Sequence, residues 1–401
     1  MTITNREARR FLLLKQGLIG AKRFSGKRGV NDYIRQAGCI QFDPVDICGR
    51  NTELVLQSRV KGFQKQMLWD ALYRDRTLLD YFDKQLAVIP AEDWPCFARI
   101  RQSNAEWIAE HYPEVPPAKE AALRVIHKLG CASSRELAAC ESYDFNRKVS
   151  WSWSPTGLSR SVLEALYFEG ELVVHHKQGT NKVYALARDI LPAELLDASD
   201  PNETLEDYHA WAVSRRIGAV GLLPNAASDA WLGIGWLKSA ERREAFDALL
   251  QRGEITELTV EGGSGPLYCR SADLPLLEEA GGRRLIGRTE LIAPLDCLMW
   301  DRKLIKSLFG FDYKWEVYTP VNQRKYGHYV LPLLHGEGFA GRVEPVCDRK
   351  NGVLEIRGIW PEEGVKWSAS LRKGLADCLE RFAAFNGCES VRVAENCREF
   401  L

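Results

Sequence analysis

The sequence predicts an α+β chain of three tandem helix-rich units, each closed by a two-stranded hairpin, followed by an antiparallel β-rich, barrel-like element with a last helix. Three observations predict it. Apolar residues recur at helical spacing through the first two thirds of the chain. The triplet Gly170-Glu171-Leu172 returns 83 residues later as Gly253-Glu254-Ile255, each time after a helical stretch and before an alternating one. After residue 285 the texture changes to short strands punctuated by Gly, Pro and aromatic residues.

The elements follow in order. Residues 4–17 put Ala8, Phe11, Leu12, Leu14 and Leu18 on one face and Arg6, Arg9, Arg10 and Lys15 on the other. Thr4 is the expected N-cap, with Glu7 completing a capping box. A basic, Gly-rich loop (20–29) and a helix (30–37) lead into the stretch Cys39–Arg50. Helices are expected at 51–60, capped by Asn51, and at 64–74, then strands Leu78–Phe82 and Gln85–Ile89 around an Asp83-Lys84 turn. The second unit reads as helices Lys119–Leu129, Ser133–Cys140 and Ser159–Glu169. Its hairpin runs from Gly170 to Leu186 around Gln-Gly-Thr-Asn. The third reads as helix 203–218, a short helix near Ala226–Leu232, helix 239–251, and a hairpin from Gly253 to Arg270. Helices closed by a hairpin make the plan of a winged helix-turn-helix. Strands are expected at Phe311–Tyr318, Tyr326–Leu334, Phe339–Cys347 and Val353–Trp360, then helix 366–386 and strand Ser390–Val393. The domains become 1–112, 118–190, 200–272 and 285–401, with linkers at 112–118 and 271–288.

Length and composition, 401 residues with 45% hydrophobic and 27% charged, are those of a soluble globular protein. No apolar run approaches the length of a membrane span, and the N-terminus lacks the apolar core of a signal peptide. Eleven scattered cysteines without a C-x-x-C pair fit reduced, buried thiols in a cytoplasm and carry no zinc signature. Net charge is zero, but residues 1–190 hold 28 Lys+Arg against 22 Asp+Glu, and the remainder 26 against 32. A basic front half is compatible with a polyanionic partner, as are solvated helix faces.

The candidate site lies in Cys39–Arg50. If residues 40–43 are extended, Gln41 and Asp43 share one face, opposite Ile40 and Phe42. Pro44 ends the strand. An amide and a carboxylate side by side at a strand end suit the orientation of one water molecule; a solvated strand face has the same spacing. Asn322–Tyr329 offers Arg324, Lys325, Tyr326, His328 and Tyr329, types suited to phosphate neutralisation and base stacking. In Asp296–Arg302, Asp301 is placed to cap or pair locally, and Trp300 to lie in the core. His175-His176-Lys177 sits on the second hairpin, where it could touch phosphate, although lone exposed histidines usually have no such role. No G-x-S-x-G or H-E-x-x-H is present, and the Gly-rich segments read as turns.

These residues resemble a family. GCIQFDPVDICGRN, PLDCLMWDRKLIKSLFGFDYKWEVYTP and KYGHYVLPLLHGEGFAGRVEPVCDRKNGVLEIRGIW are similar to the YcaQ/AlkZ group of bacterial DNA glycosylases, over essentially the whole chain. The resemblance implies three tandem winged helices around a concave DNA-binding face. It implies excision of N7-alkylated purines, including bulky adducts, and unhooking of interstrand crosslinks. The family signature is Gln-apolar-Gln in one branch and Gln-apolar-Asp in the YcaQ branch; this chain carries the second, which makes Gln41 and Asp43 the expected catalytic pair. Where some members have a His-containing stretch, this chain has Tyr81-Phe82-Asp83-Lys84-Gln85-Leu86.

The chemistry fits these types. An N7-alkylated purine is cationic and leaves without a strong acid, so a carboxylate need only stabilise an oxocarbenium-like sugar and guide water. No lysine adjoins the pair in sequence, which favours a monofunctional hydrolase over one that cleaves the strand through a Schiff base. The expected partner is double-stranded DNA with alkylated or crosslinked purines, contacted by Arg9, Arg10, Arg23, Arg50, Arg324, Lys325 and Tyr326. The protein is expected to act as a monomer in the cytoplasm, at the nucleoid, with no metal, organic cofactor or membrane. Two rival readings are a tandem winged-helix DNA-binding regulator, which needs neither Gln41 nor Asp43, and a scaffold that uses its winged helices for protein contacts.

Overall fold

Thr4 starts the first helix as its side chain dictates. In the computed structural model its hydroxyl accepts from the Glu7 N–H at 3.2 Å, and the Glu7 carboxylate accepts from the Thr4 N–H at 2.7 Å. The helix Asn5–Lys15 then buries Phe11, Leu12, Leu13 and Leu14. Residues 1–282 and 285–401 are described. The chain divides into two compact units: Met1–Leu68, Phe82–Val88 and Glu206–Leu401 form the first, and Trp69–Tyr81 and Ile89–Leu205 the second.

In the first unit the helix Gly26–Ala37 begins inside the expected loop. A Cβ at Gly29 would lie 2.8 Å from the Phe24 carbonyl carbon, so a glycine lets that turn of helix close on Phe24–Ser25. The helices Leu205–Val220 and Ser239–Gln251 precede a hairpin, Ile255–Val260 with Pro266–Arg270. Thr2–Ile3 adds a parallel strand at Thr259–Val260, two residues too short to show a period in sequence. The span expected as a linker, 271–288, holds the helix Leu274–Gly282, with Leu277 and Ala280 buried.

The C-terminal part of this unit is a five-stranded sheet in the order Thr289–Leu291, Leu331–His335, Gly338–Asp348, Val353–Pro361, Ser390–Val393. Its first four strands are antiparallel. The last is parallel to its neighbour and is reached through the helix Ala369–Phe385, the crossover a parallel pair needs. The expected strand Phe311–Tyr318 is absent, and Tyr326–Val330 is irregular. Side-chain carboxylates take the backbone donors there instead of a ladder. Glu316 accepts from the N–H groups of Lys325 at 2.8 Å and Tyr326 at 2.9 Å, and Glu344 from that of His328 at 2.6 Å.

The second unit packs the helices Ala98–His111, Pro116–Leu129, Ser134–Ala138 and Leu158–Glu169 with the hairpin Leu172–Gln178 and Asn181–Leu186. Ala132 exchanges both backbone hydrogen bonds with Tyr184, adding a short third line to the hairpin. Gly170 ends the preceding helix at φ +85°, and Gly253 turns at φ +68° in the first unit, so the repeated triplet marks two left-handed helix ends.

A buried ion pair holds the first unit's middle. Arg59 Nη2 lies 2.7 Å from Asp296 Oδ1 with both side chains fully buried, and the guanidinium stacks over Tyr33. We expect Asp296→Leu alone to cost about 3–5 kcal/mol, since it strands a buried cation, and the pair Arg59→Met with Asp296→Leu to recover most of that. Urea midpoints of the three proteins check this; equal midpoints for wild type and Asp296→Leu would contradict it.

Candidate active site

The strand at the site is shorter than its sequence pattern. Only Ile40–Gln41 is regular, paired with Val88 and Ala87. One further bond, from the Phe42 N–H to the Leu86 carbonyl at 2.8 Å, carries the pairing to the residue before Asp43. Asp43 then turns the chain: its Oδ1 accepts from the Val45 N–H at 2.8 Å, and the exposed Pro44 follows it. Beyond, Asp46 accepts from the Gly49 N–H at 3.1 Å and from Arg349, and Cys347 N–H donates to the Ile47 carbonyl at 2.9 Å.

Asn51, expected only as a helix cap, fixes the geometry instead. Its amide donates to the Gln41 carbonyl at 2.7 Å and accepts from the Leu295 N–H at 3.1 Å, with 1% of the residue exposed. The helix Asn51–Arg59 is capped from Arg50, whose N–H donates to Glu53 at 3.3 Å.

The two candidate catalytic side chains differ in state. Asp43 is 8% exposed; burial raises its carboxyl above the ordinary aspartate value, and the Val45 N–H partly offsets this. Gln41 Oε1 is buried with no hydrogen-bond partner among the described residues. A buried amide oxygen without a donor is expensive, and a donor such as water or a sugar hydroxyl relieves it. Near Asp43 lie two tyrosines not singled out with it by sequence. Burial first, then the Asp43 charge, raises the Tyr318 hydroxyl, and Asp43 adds to the upward shift of the buried Tyr329. Trp315 packs edge-on against both rings, and Tyr318 is 78% exposed. The irregular 311–330 segment thus brings an exposed aromatic ring within electrostatic reach of the Asp43 carboxylate, a relation that crosses some 275 residues of chain and has no local signature.

A family model described as DNA glycosylase AlkZ-like matches residues 34–385. The chain belongs to the AlkZ-like DNA glycosylases. Among solved structures, Streptomyces sahachiroi DNA glycosylase AlkZ matches its fold at a TM-score of 0.66 and 16% identity, over 98% of this chain and 100% of that one. The chain is accordingly a DNA repair enzyme whose substrate is DNA.

The cations expected to meet DNA are placed unevenly in this AlkZ-like glycosylase. Arg23 and Lys325 are exposed, and Arg9, Arg50 and Arg324 half-buried. Arg10 is turned inward, bonded to Glu337 at 2.8 Å and to the Ala280 carbonyl at 3.1 Å, which removes it from a phosphate's reach. Arg23 also donates to the Lys15 carbonyl, and Arg324 to that of Thr319 at 2.8 Å. Tyr326 packs against Trp360 and beneath Arg342. Lys177 is committed to Asp80 at 2.6 Å in a nearly fully buried pair, so it is not a phosphate contact of its hairpin. Asp301 caps the helix Arg302–Phe309 through the Leu304 N–H at 2.9 Å, and Trp300 is buried, both as sequence suggested. The stretch Asp83–Leu86 has a structural account: Asp83 pairs with Arg215 and Arg216, and Lys84 lies over the Trp300 ring, where burial and Arg216 bring its ammonium down to about 8.

Glu316 makes the aromatic segment pH-sensitive. Burial pushes its carboxyl up, but the backbone donors of Lys325, Tyr326 and Gly327 outweigh that and hold it below the ordinary glutamate value. A depressed folded value means the stabilisation is whole above the unfolded pKa and lost as pH falls through the folded one. We expect Glu316→Gln to cost about 1–3 kcal/mol at neutral pH. The gap to wild type should narrow on acidification, read by urea midpoints from neutral pH down through the carboxylate range; a constant gap would contradict the assignment.

Proposed function

We propose that this glycosylase hydrolyses the N-glycosidic bond of N7-alkylated purines in double-stranded DNA, including bulky adducts and interstrand crosslinks, without strand cleavage. In this reading a water held by Gln41 Oε1 and Asp43 attacks the sugar C1′. The glycosidic bond breaks, its electron pair neutralises the purine's positive charge, and the water's proton passes to Asp43 or solvent, leaving an abasic site. Asp43 is the right group for this because it is sheltered, so the charge of its carboxylate form acts on the oxocarbenium-like sugar with little screening. The observation that carries the reading is the unpartnered, buried Gln41 Oε1 two residues from a buried carboxylate. Tyr318, exposed and within electrostatic reach of Asp43, offers a ring for the damaged base or its sugar to pack on.

The finer architecture belongs to the same proposal. Helices followed by hairpins, closing at Leu86–Pro90, Asn181–Leu186 and Pro266–Arg270, read as three tandem winged helices. The division 1–112, 118–190, 200–272 and 285–401 follows from that plan. Arg9, Arg23, Arg50, Arg324 and Lys325 are the cations proposed to contact phosphate. A monomer working on the chromosome in the cytoplasm needs nothing further.

Three outcomes test it. DNA with a single 7-methylguanine, treated with alkali after incubation, should be cut with wild type and not with Asp43→Asn, while DNA affinity of the variant stays within about twofold; equal cutting by the variant would sink the role of Asp43. The rate of base release should rise with pH through a value above that of free aspartate and then level off, because the carboxylate is the active form. Replacing Arg324 and Lys325 together by Ala should lower the slope of log affinity against log salt by about 2, as two lost phosphate contacts require; an unchanged slope would exclude both.

A further inference from the structure

Outside the catalytic stretch, the second unit gathers three metal-binding side chains that no sequence motif announces. The Cys131 thiol and the rings of His175 and His176 each present a ligand atom, and these atoms lie within 4.8 Å of one another. Consecutive residues of a strand normally face opposite ways. Here the hairpin register slips: Val183 pairs with His176, and Tyr184 with Val174, so His175 is the extra residue of a β-bulge. The bulge turns both imidazoles to one side, their Nδ1 atoms 2.7 Å apart. Arg76 pins it, donating to the carbonyls of Val174 at 3.0 Å and His175 at 2.9 Å. Cys131 is delivered by the paired bonds between Ala132 and Tyr184 on the neighbouring strand.

We propose that Cys131, His175 and His176 bind a zinc-type divalent cation that staples the hairpin Leu172–Gln178 and Asn181–Leu186 to the turn before the helix Ser134–Ala138. The donor set, one thiolate and two neutral imidazoles, is one that zinc takes. Tetrahedral coordination would spread the two nitrogens from 2.7 Å to about 3.3 Å, an opening of about 0.6 Å shared between two rings. His176 Nε2 lies 3.4 Å from the Gln178 side-chain nitrogen, and its Nδ1 is the ring atom turned toward His175. Glu136 borders the group: its charge reaches both Cys131 and His176, while its oxygen accepts from the Ser133 N–H and hydroxyl at 2.7 Å. It supplies the balancing negative charge, and a water or Glu136 itself completes the fourth position.

Cobalt(II) is the probe, since a thiolate ligand gives a charge-transfer absorption and a tetrahedral site gives intense visible bands. The metal-free full chain should bind one equivalent with both signals, and Cys131→Ser should lose the charge-transfer absorption. Zinc should displace the cobalt and raise the melting temperature of wild type but not of the variant. Failure of wild type to bind cobalt, or a charge-transfer band that survives in Cys131→Ser, would overturn the proposal. Should Cys131→Ser not fold by circular dichroism, His176→Gln decides: loss of the tetrahedral bands supports the site and their retention rejects it. Base-release activity enters none of these readouts, so the site stands or falls apart from the catalytic assignment.

Discussion

The helix Asn51–Arg59 is tied down at both ends to one short segment far along the chain, and the stretch carrying the candidate pair Gln41 and Asp43 hangs from that tie. At its start Asn51 bridges the Gln41 carbonyl and the Leu295 N–H; at its end Arg59 is locked to Asp296. Neither contact is dispensable on physical grounds. A buried amide with both ends satisfied cannot rotate away without orphaning two backbone groups. A buried guanidinium cannot leave its carboxylate without an uncompensated charge. The short strand Ile40–Gln41 has too few ladder bonds to hold itself. Its position is set by this rigid strut and by the pairing with Ala87 and Val88.

The same economy recurs at the segment facing Asp43. Residues 311–330 have aromatic and β-branched residues enough for strands, yet Glu316 and Glu344 take up the N–H groups that a ladder would use. Freed from sheet pleating, the segment can set Tyr329 and Trp315 inward and Tyr318 outward, within electrostatic reach of the Asp43 carboxylate. Irregular backbone near a site is what lets side chains leave the strict alternation of a strand.

What could be read from sequence divides along the range of the interactions. The capping box at Thr4, the hairpin around Gly179, the helix-to-hairpin passages at Gly170 and Gly253, and the Asp301 cap were legible because each is decided within a few residues. The pair Gln41 and Asp43 stood out by spacing and by resemblance to a family signature. Asn51 read as a helix cap, since its partner lies 244 residues away, and Arg10 read as exposed, since Glu337 lies 327 residues away. The strand Thr2–Ile3 escaped because two residues carry no period. Phe311–Tyr318 misled because its alternation was real while the destination of its backbone donors was invisible. Cys131 and the paired histidines were each legible as residues, but only the bulge brings them to one face.

The first unit is discontinuous in sequence, and this has a consequence for how the chain is made. Residues 40–59 emerge early from the ribosome, but their partners at 295–296 and 347 come about 240 to 300 residues later. At about 5–20 residues per second that is an interval of about 10–60 s. The second unit, nearly all of it continuous, has its full complement of residues by position 205 and can fold during the wait. The stretch carrying Gln41 and Asp43 therefore gains its contacts to Leu295 and Cys347 only after those residues have been made. For an enzyme that acts on DNA, the order of synthesis thus holds back the supports of this stretch until residue 347 has been added.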